Sequence, residues 1–220
     1  DGSLSTPTLG TSNVRFGVNA GNSIASGGDF NVCIGDEAGT ALTTGDANTF
    51  VGFEAGNAIV DTARNTMMGY RAGKAATGAG NAENVYIGNE AAAVITSGVR
   101  NTIVGGSSGS ALVGSNSDNT FLGQGAGAAM TTGDANTFIG RYNGEAGLDL
   151  RTSSNNIVLS DGDGNPRLYY TGADNSWRSA EIYATTTGTG ANMTILSSGT
   201  ISRSTSSLRY KNTVNDATHG

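Results

Sequence analysis

The polar and apolar positions of this chain are set out around a recurring asparagine. The pattern Asn-x-x-apolar-Gly recurs at Asn13, Asn31, Asn48, Asn65, Asn84, Asn101, Asn119 and Asn136, at spacings of 18, 17, 17, 19, 17, 18 and 17 residues. One position after each asparagine stands Val or Thr, and the octapeptide TTGDANTF occurs both at 43–50 and at 131–138. A period this regular decides the architecture before any other feature.

Each unit predicts a strand of four or five residues and two corners. The Val or Thr and the apolar residue two positions later share one face of a strand, and β-branched residues suit that pleated surface. The glycine that ends every unit's strand marks a backbone needing positive φ or close approach. The Ala-Gly and Thr-Gly-Asp-Ala segments read as turns. No stretch carries helical periodicity over ten residues. A unit of 17–19 residues is too short for leucine-rich, ankyrin or tetratricopeptide repeats and fits one rung of a β-solenoid or β-roll.

Each rung offers two or three sizeable apolar side chains, so a lone stack buries little and leaves strand edges open. Self-association about an axis is the expected remedy, with the strand faces turned inward. The rank Val51, Met68, Ile87, Val104 and Leu122 is then expected to stack in register along that axis.

Composition supports an extended β structure. Glycine is 35 of 220 residues, charged residues are 14%, and proline occurs twice. The net charge of −6 and the pI near 4.6 argue against nucleic acid or an anionic membrane as partner. No apolar run approaches a membrane span, so no membrane insertion is expected. The opening DGSLSTPTLG has the texture of chain interior, and the sequence is expected to be a piece of a longer protein.

Candidate chemistry is sparse. The single cysteine, Cys33, stands where other units place Phe50, Met67, Tyr86, Ile103, Phe121 and Phe138. It reads as a buried apolar filler, since a nucleophile would need a histidine partner and the one histidine is His219. No metal-ligand spacing and no carboxylate pair of the glycosidase kind stand out, so neither metal nor cofactor is expected and no enzymatic turnover of a substrate.

After the eighth unit the texture changes. Residues Asn156 to Ser160 predict a strand, DGDGNP (161–166) a turn, and Arg167 to Thr171 the returning strand. The DGDGN segment invites a calcium-loop reading, but Pro166 and Gly172 occupy the positions that such a loop gives to glycine and glutamate. An Asp/Asn/Gly hairpin turn is the plainer reading. Tyr169, Tyr170, Trp177 and Tyr183 gather aromatic surface suited to an oligomer core or to a sugar-binding patch. The Thr/Ser/Gly-rich stretch 184–206 suits a narrow β stalk.

Two resemblances sharpen this reading. The Asn-x-x-apolar-Gly rungs resemble the left-handed parallel β-roll heads of trimeric autotransporter adhesins, and similar arrays in phage fibres, although the autotransporter unit is shorter. The segment SSLRYK at 206–211 is similar to the opening of the intramolecular chaperone domain at the C-terminus of phage tail spikes and fibres, with Ser206, Ser207, Arg209 and Lys211 in matching places. The resemblance covers that boundary and about fifteen residues beyond it. It implies a homotrimer, and self-cleavage before Ser206, with Ser206 as nucleophile on the preceding carbonyl and Lys211 assisting.

The resulting expectation is an all-β chain: an elongated trimeric β-solenoid/β-roll shaft over 1–144, a β-hairpin module over 145–183, a β stalk over 184–205 and the start of a chaperone over 206–220. The expected role is a spacer and host-attachment segment of a phage tail fibre or receptor-binding protein, located on the virion tail. Other virion tail proteins and a host cell-surface glycan or protein are its expected partners. A bacterial trimeric surface adhesin, on the cell surface, is the alternative. An ice-binding solenoid would need double ranks of threonine, whereas Val replaces Thr at Val14, Val32 and Val85.

Overall fold

The structure, a computed structural model, describes residues 9–78, 82–179, 193–195 and 201–203. The chain divides into two units, Asp1–Arg178 and Ser179–Gly220. In the second, strands Met193–Ile195 and Ile201–Arg203 form an antiparallel pair.

In the first unit each repeat is one turn of a parallel β-solenoid. Strands β1 (Val14–Phe16), β2 (Val32–Ile34), β3 (Thr49–Val51), β4 (Thr66–Met68), β5 (Val85–Ile87), β6 (Thr102–Val104), β7 (Thr120–Leu122) and β8 (Thr137–Ile139) pair each with the next, parallel and in register. They are three residues long, shorter than the pattern predicted. The asparagine before each strand turns its side chain inward, and the glycine after it leaves the extended region.

The solenoid interior is filled by the middle residue of each strand. Cys33, Phe50, Met67, Tyr86, Ile103, Phe121 and Phe138 are fully buried. A second column, Ile24, Leu42, Ile59, Ile95, Leu112 and Met130, and a third of small residues, Ala20, Ala38, Ala55, Ala72, Ala91 and Ala126, pack with them into one core. The residues on either side of the middle one form the outer face. Val51, Met68, Ile87, Val104 and Leu122 stack in register as expected, but within the chain they point out, half-buried or exposed.

Why asparagine leads every rung is visible in its hydrogen bonds. The Asn101 backbone N–H donates to Asn84 Oδ1 at 3.0 Å, and Asn101 Oδ1 accepts the Asn119 N–H at 3.0 Å. Asn101 Nδ2 donates to Asn84 Oδ1 at 3.2 Å and to the Asn116 carbonyl, at the next corner, at 2.8 Å. The same relay runs without a gap from Asn13 to Asn156. A carboxamide puts an acceptor oxygen and two amide protons on one short side chain, so each buried asparagine can accept from one rung while donating to two oxygens. The glycine column has an equally local cause. Its eight φ values lie between 101° and 140°, and a Cβ on Gly105 would sit 2.2 Å from the Gly123 carbonyl oxygen.

Non-glycine residues also take up left-handed backbone. The residue before each asparagine, whether Phe30, Ala47, Arg64, Glu83, Arg100, Asp118 or Ala135, has φ between 52° and 61°. Each such residue costs about 1–2 kcal/mol, which the rung-to-rung hydrogen bonds offset. In the exact repeat TTGDANTF the aspartate has the same role in both copies: the Asp46 and Asp134 carboxylates each accept, at 2.7 Å, a backbone N–H of the preceding rung, from Asp29 and Ser117.

The stack has nine rungs rather than eight. Strand β9 (Ile157–Ser160) lies parallel to β8, with Val158 buried and Asn156 continuing the ladder. Strand β10 (Pro166–Thr171) returns antiparallel to it, as predicted for the hairpin, and β11 (Ser176–Ser179) follows as the edge of the same sheet. Tyr142 closes the core here, edge-on to Phe138 with its hydroxyl on the Leu148 carbonyl. At the opposite end Arg15 occupies the middle strand position and its Nε donates to the Ala20 carbonyl at 2.5 Å, a polar cap where a ninth apolar layer would face water.

Candidate functional site

The residues singled out as chemical candidates fall into three places. Ser206, Lys211, His219 and Tyr183 lie outside the described residues. Cys33 is fully buried between Gly21 and Phe50 and adds its sulfur to the core. Burial pushes its thiol up to about 12, so it carries no thiolate at neutral pH and is the apolar filler its position predicted. Asp161, at the head of DGDGN, accepts the backbone N–H groups of Asp163 at 3.0 Å and Asn165 at 2.9 Å, and Arg167 Nε at 2.8 Å. Those donors, the Asn165 backbone first, hold its carboxyl well below the usual carboxylate range. The turn is therefore locked by its own first residue. Among the described residues no three His, Cys, Asp or Glu side chains converge as a metal site, and no helix is long and apolar enough to cross a membrane.

The aromatic cluster separates. Tyr169 packs on the core, while Tyr170 and Trp177 form an outer pair with ring centroids 5.5 Å apart. Trp177 is 56% exposed.

Two surfaces remain as candidates. The first is the outer strand face. Its two ranks, Val or Thr (Ile157 in the ninth rung) and then the larger apolar residue, run through all nine rungs without one charged side chain. Phe16 is 67% exposed, Leu122 47% and Ile139 42%. A contiguous uncharged apolar strip of this kind is what monomers avoid and association surfaces present.

The second is the edge just past the glycine column. Phe53 and Tyr70 stack there at 5.5 Å, and the Arg71 guanidinium lies 4.9 Å from the Tyr70 ring centre. Glu54 ties Arg71 at 2.6 Å and Lys74 at 2.9 Å. Farther along the same edge, rungs six to eight and the Asp161 turn enclose a cleft of ≈ 340 Å³, lined by Ser107, Gln124, Arg141, Asn143, Asp163 and Gly164 among others. Ser107, Gln124, Arg141 and Asn143 carried no signal in the sequence, because they sit at the variable positions of three different rungs, and the DGDGN turn signalled a hairpin rather than a cleft. No family model, curated protein or solved structure matches this chain.

Proposed function

We propose that this chain is a shaft segment of a trimeric fibre, of the kind that carries a phage tail to its host, in which three solenoids lie side by side around one axis. The outer strand face turns toward that axis. The observation that carries this reading is the uncharged apolar strip, which no described residue of the chain covers. Three copies related by rotation cover each other's strips and close the assembly, whereas an open contact would continue into aggregates. The covalent one-turn-per-rung stack then gives stiffness and length, and the edges that face outward are left for host surface and for neighbouring tail proteins. The SSLRYK segment, by its resemblance, adds a folding junction, with Ser206 and Lys211 as its cleavage pair.

Light scattering on the purified chain tests the assembly. The expected mass is three times 22.0 kDa. Ile87→Asp places one carboxylate per subunit in the shared interface, and each such desolvated charge costs several kcal/mol, so this variant is expected to be monomeric. A monomeric unmutated chain, or an Ile87→Asp variant that stays trimeric and equally stable, would overturn the arrangement. Expression of the full-length gene tests the junction: two fragments meeting at Thr205/Ser206, lost on Ser206→Ala, are expected, and one intact chain from the unmutated gene refutes cleavage.

A further inference from the structure

The cleft on the outer edge exists because the repeat fails at one residue. Every earlier rung ends its strand with glycine, but the ninth has Ser160. The Ser160 hydroxyl takes the Tyr142 N–H at 2.9 Å and donates to the Ile139 carbonyl at 3.2 Å. The chain then leaves the rung, and the Asp161 turn folds back beside Arg141, so closely that a Cβ on Gly164 would lie 3.0 Å from the Arg141 carbonyl oxygen. The result is a cleft walled by stacked rungs on one side and by a hydrogen-bonded turn on the other. Its ≈ 340 Å³ falls within the range of small-molecule sites, roughly 300–1,000 Å³.

Its charges are not spent on each other. Arg64, Arg71, Arg100, Arg151, Arg167 and Arg178 each pair with a carboxylate. Arg141 forms no ion pair with any described carboxylate. Asp163 lines the same cleft, and its carboxylate also has no partner there, because the turn is pinned through Asp161 instead. Asn143 Oδ1 is committed to the Glu145 and Ala146 N–H groups, which leaves its amide protons to face outward. The side chains of Gln124 and Ser107 are uncommitted.

We propose that this cleft binds an acidic sugar unit, a hexuronate, of a surface polysaccharide. Arg141 takes the carboxylate through its planar fork, Asp163 accepts from ring hydroxyls, and Asn143, Gln124 and Ser107 complete the set. A phosphate, with its higher charge, is disfavoured by Asp163. An uncharged sugar leaves the Arg141 charge unanswered, and an amino acid answers both charges but leaves the neutral donors empty. The site uses one chain only and is lined by residues beyond the glycine column rather than by the strip itself, so it does not rest on the trimer reading, and a subunit mass taken on the same sample keeps the two outcomes apart.

The test is saturation-transfer NMR on the whole chain with glucuronic acid, glucose and alanine as probes. Saturable glucuronate binding is expected, with a Kd on the order of 1 mM. Glucose and alanine are expected to bind about tenfold more weakly or worse. Arg141→Ala is expected to weaken glucuronate about tenfold or more, Arg141→Lys less, and Asp163→Asn severalfold. Arg100→Ala, on a paired and distant arginine, leaves binding unchanged. Matched melting curves confirm that each variant folds. Absence of saturable glucuronate binding, indifference to Arg141→Ala, or equal binding of glucose or alanine overturns the assignment.

Discussion

Replacing Asn101 separates a ladder that organises the fold from one that merely accompanies it. Asn101 is fully buried. Its side chain makes four hydrogen bonds: Nδ2 to Asn84 Oδ1 at 3.2 Å and to the Asn116 carbonyl at 2.8 Å, and Oδ1 from the Asn119 N–H at 3.0 Å and Nδ2 at 3.2 Å. Some of these partners have others. Asn84 Oδ1 keeps the Asn101 N–H, and Asn119 Nδ2 keeps the Ser117 and Gly133 carbonyls. Asn101→Ala therefore orphans two buried backbone groups, the Asn116 carbonyl and the Asn119 N–H. At about 1–3 kcal/mol each, the expected loss is about 3 kcal/mol, or roughly 6–12 °C in melting temperature for a chain of this size.

Asn101→Asp adds a sign. The carboxylate still accepts from Asn119 but faces two oxygens to which Asn101 donated, and it is a buried charge. At neutral pH this variant is expected to be less stable than the alanine one. Burial raises its folded pKa above the unfolded value of about 3.9. The protonated form is thus favoured in the fold, its stability is fully present below the unfolded value, and it is lost as pH rises through the folded one. The order of the two variants should reverse on acidification. Urea midpoints followed by circular dichroism, at fixed protein concentration, read both effects. An alanine variant within about 1 kcal/mol of the unmutated chain, below the cost of a single buried orphan, or an aspartate variant no worse than it at neutral pH, refutes the argument.

Gly105→Ala is expected to remove at least about 3 kcal/mol, because it combines φ of 139° with a contact of 2.2 Å to the Gly123 oxygen; an unchanged melting curve would show that the column is not close-packed. The Tyr86 hydroxyl is buried with no hydrogen-bond partner, and the amide protons of neighbouring Asn101 are committed elsewhere. Tyr86→Phe should be neutral or stabilising by up to about 1 kcal/mol, whereas Tyr142→Phe, which loses the bond to the Leu148 carbonyl, should cost about that much; equal losses at both would contradict this. Lys74 first, then Arg71, holds Glu54 below its usual value of 4.5. That stabilisation is present above this value and is lost as pH falls through the folded one, so Glu54→Gln should flatten the acid limb of the stability curve; parallel limbs would show that Glu54 contributes nothing to it.

The period, the solenoid class, the burial of Cys33 and the 157–171 hairpin were legible in the sequence, because each depends on a residue type that only one local geometry favours. The assignment of inside and outside was harder. Alternation makes the flanking ranks and the middle rank equally plausible cores, and Arg15 and Cys33 obscure the middle rank at its start. The ninth rung was hidden by Ser160 in the glycine place and by 20 residues between Asn136 and Asn156. Left-handed backbone at Phe30, Arg64 and Glu83 has no signature in residue type, since neighbouring rungs impose it. The cleft draws Ser107 and Asp163 together only through the stacking of rungs.

The asparagine relay also makes length a countable property. Each rung hands one N–H to an oxygen of the rung before, and TTGDANTF does this equally well as rung three and as rung eight. An interior rung therefore carries little information about its place in the stack. Removing one whole unit, residues 101–118, would bring the Asn119 N–H to Asn84 Oδ1 and shorten the solenoid by one strand spacing, about 4.8 Å, with the asparagine and glycine columns re-formed. Removing half a unit would leave glycine facing asparagine down the remaining stack. Such a chain can change its reach in discrete steps by duplicating or deleting units, and the two identical octapeptides have the form such a copying step would leave.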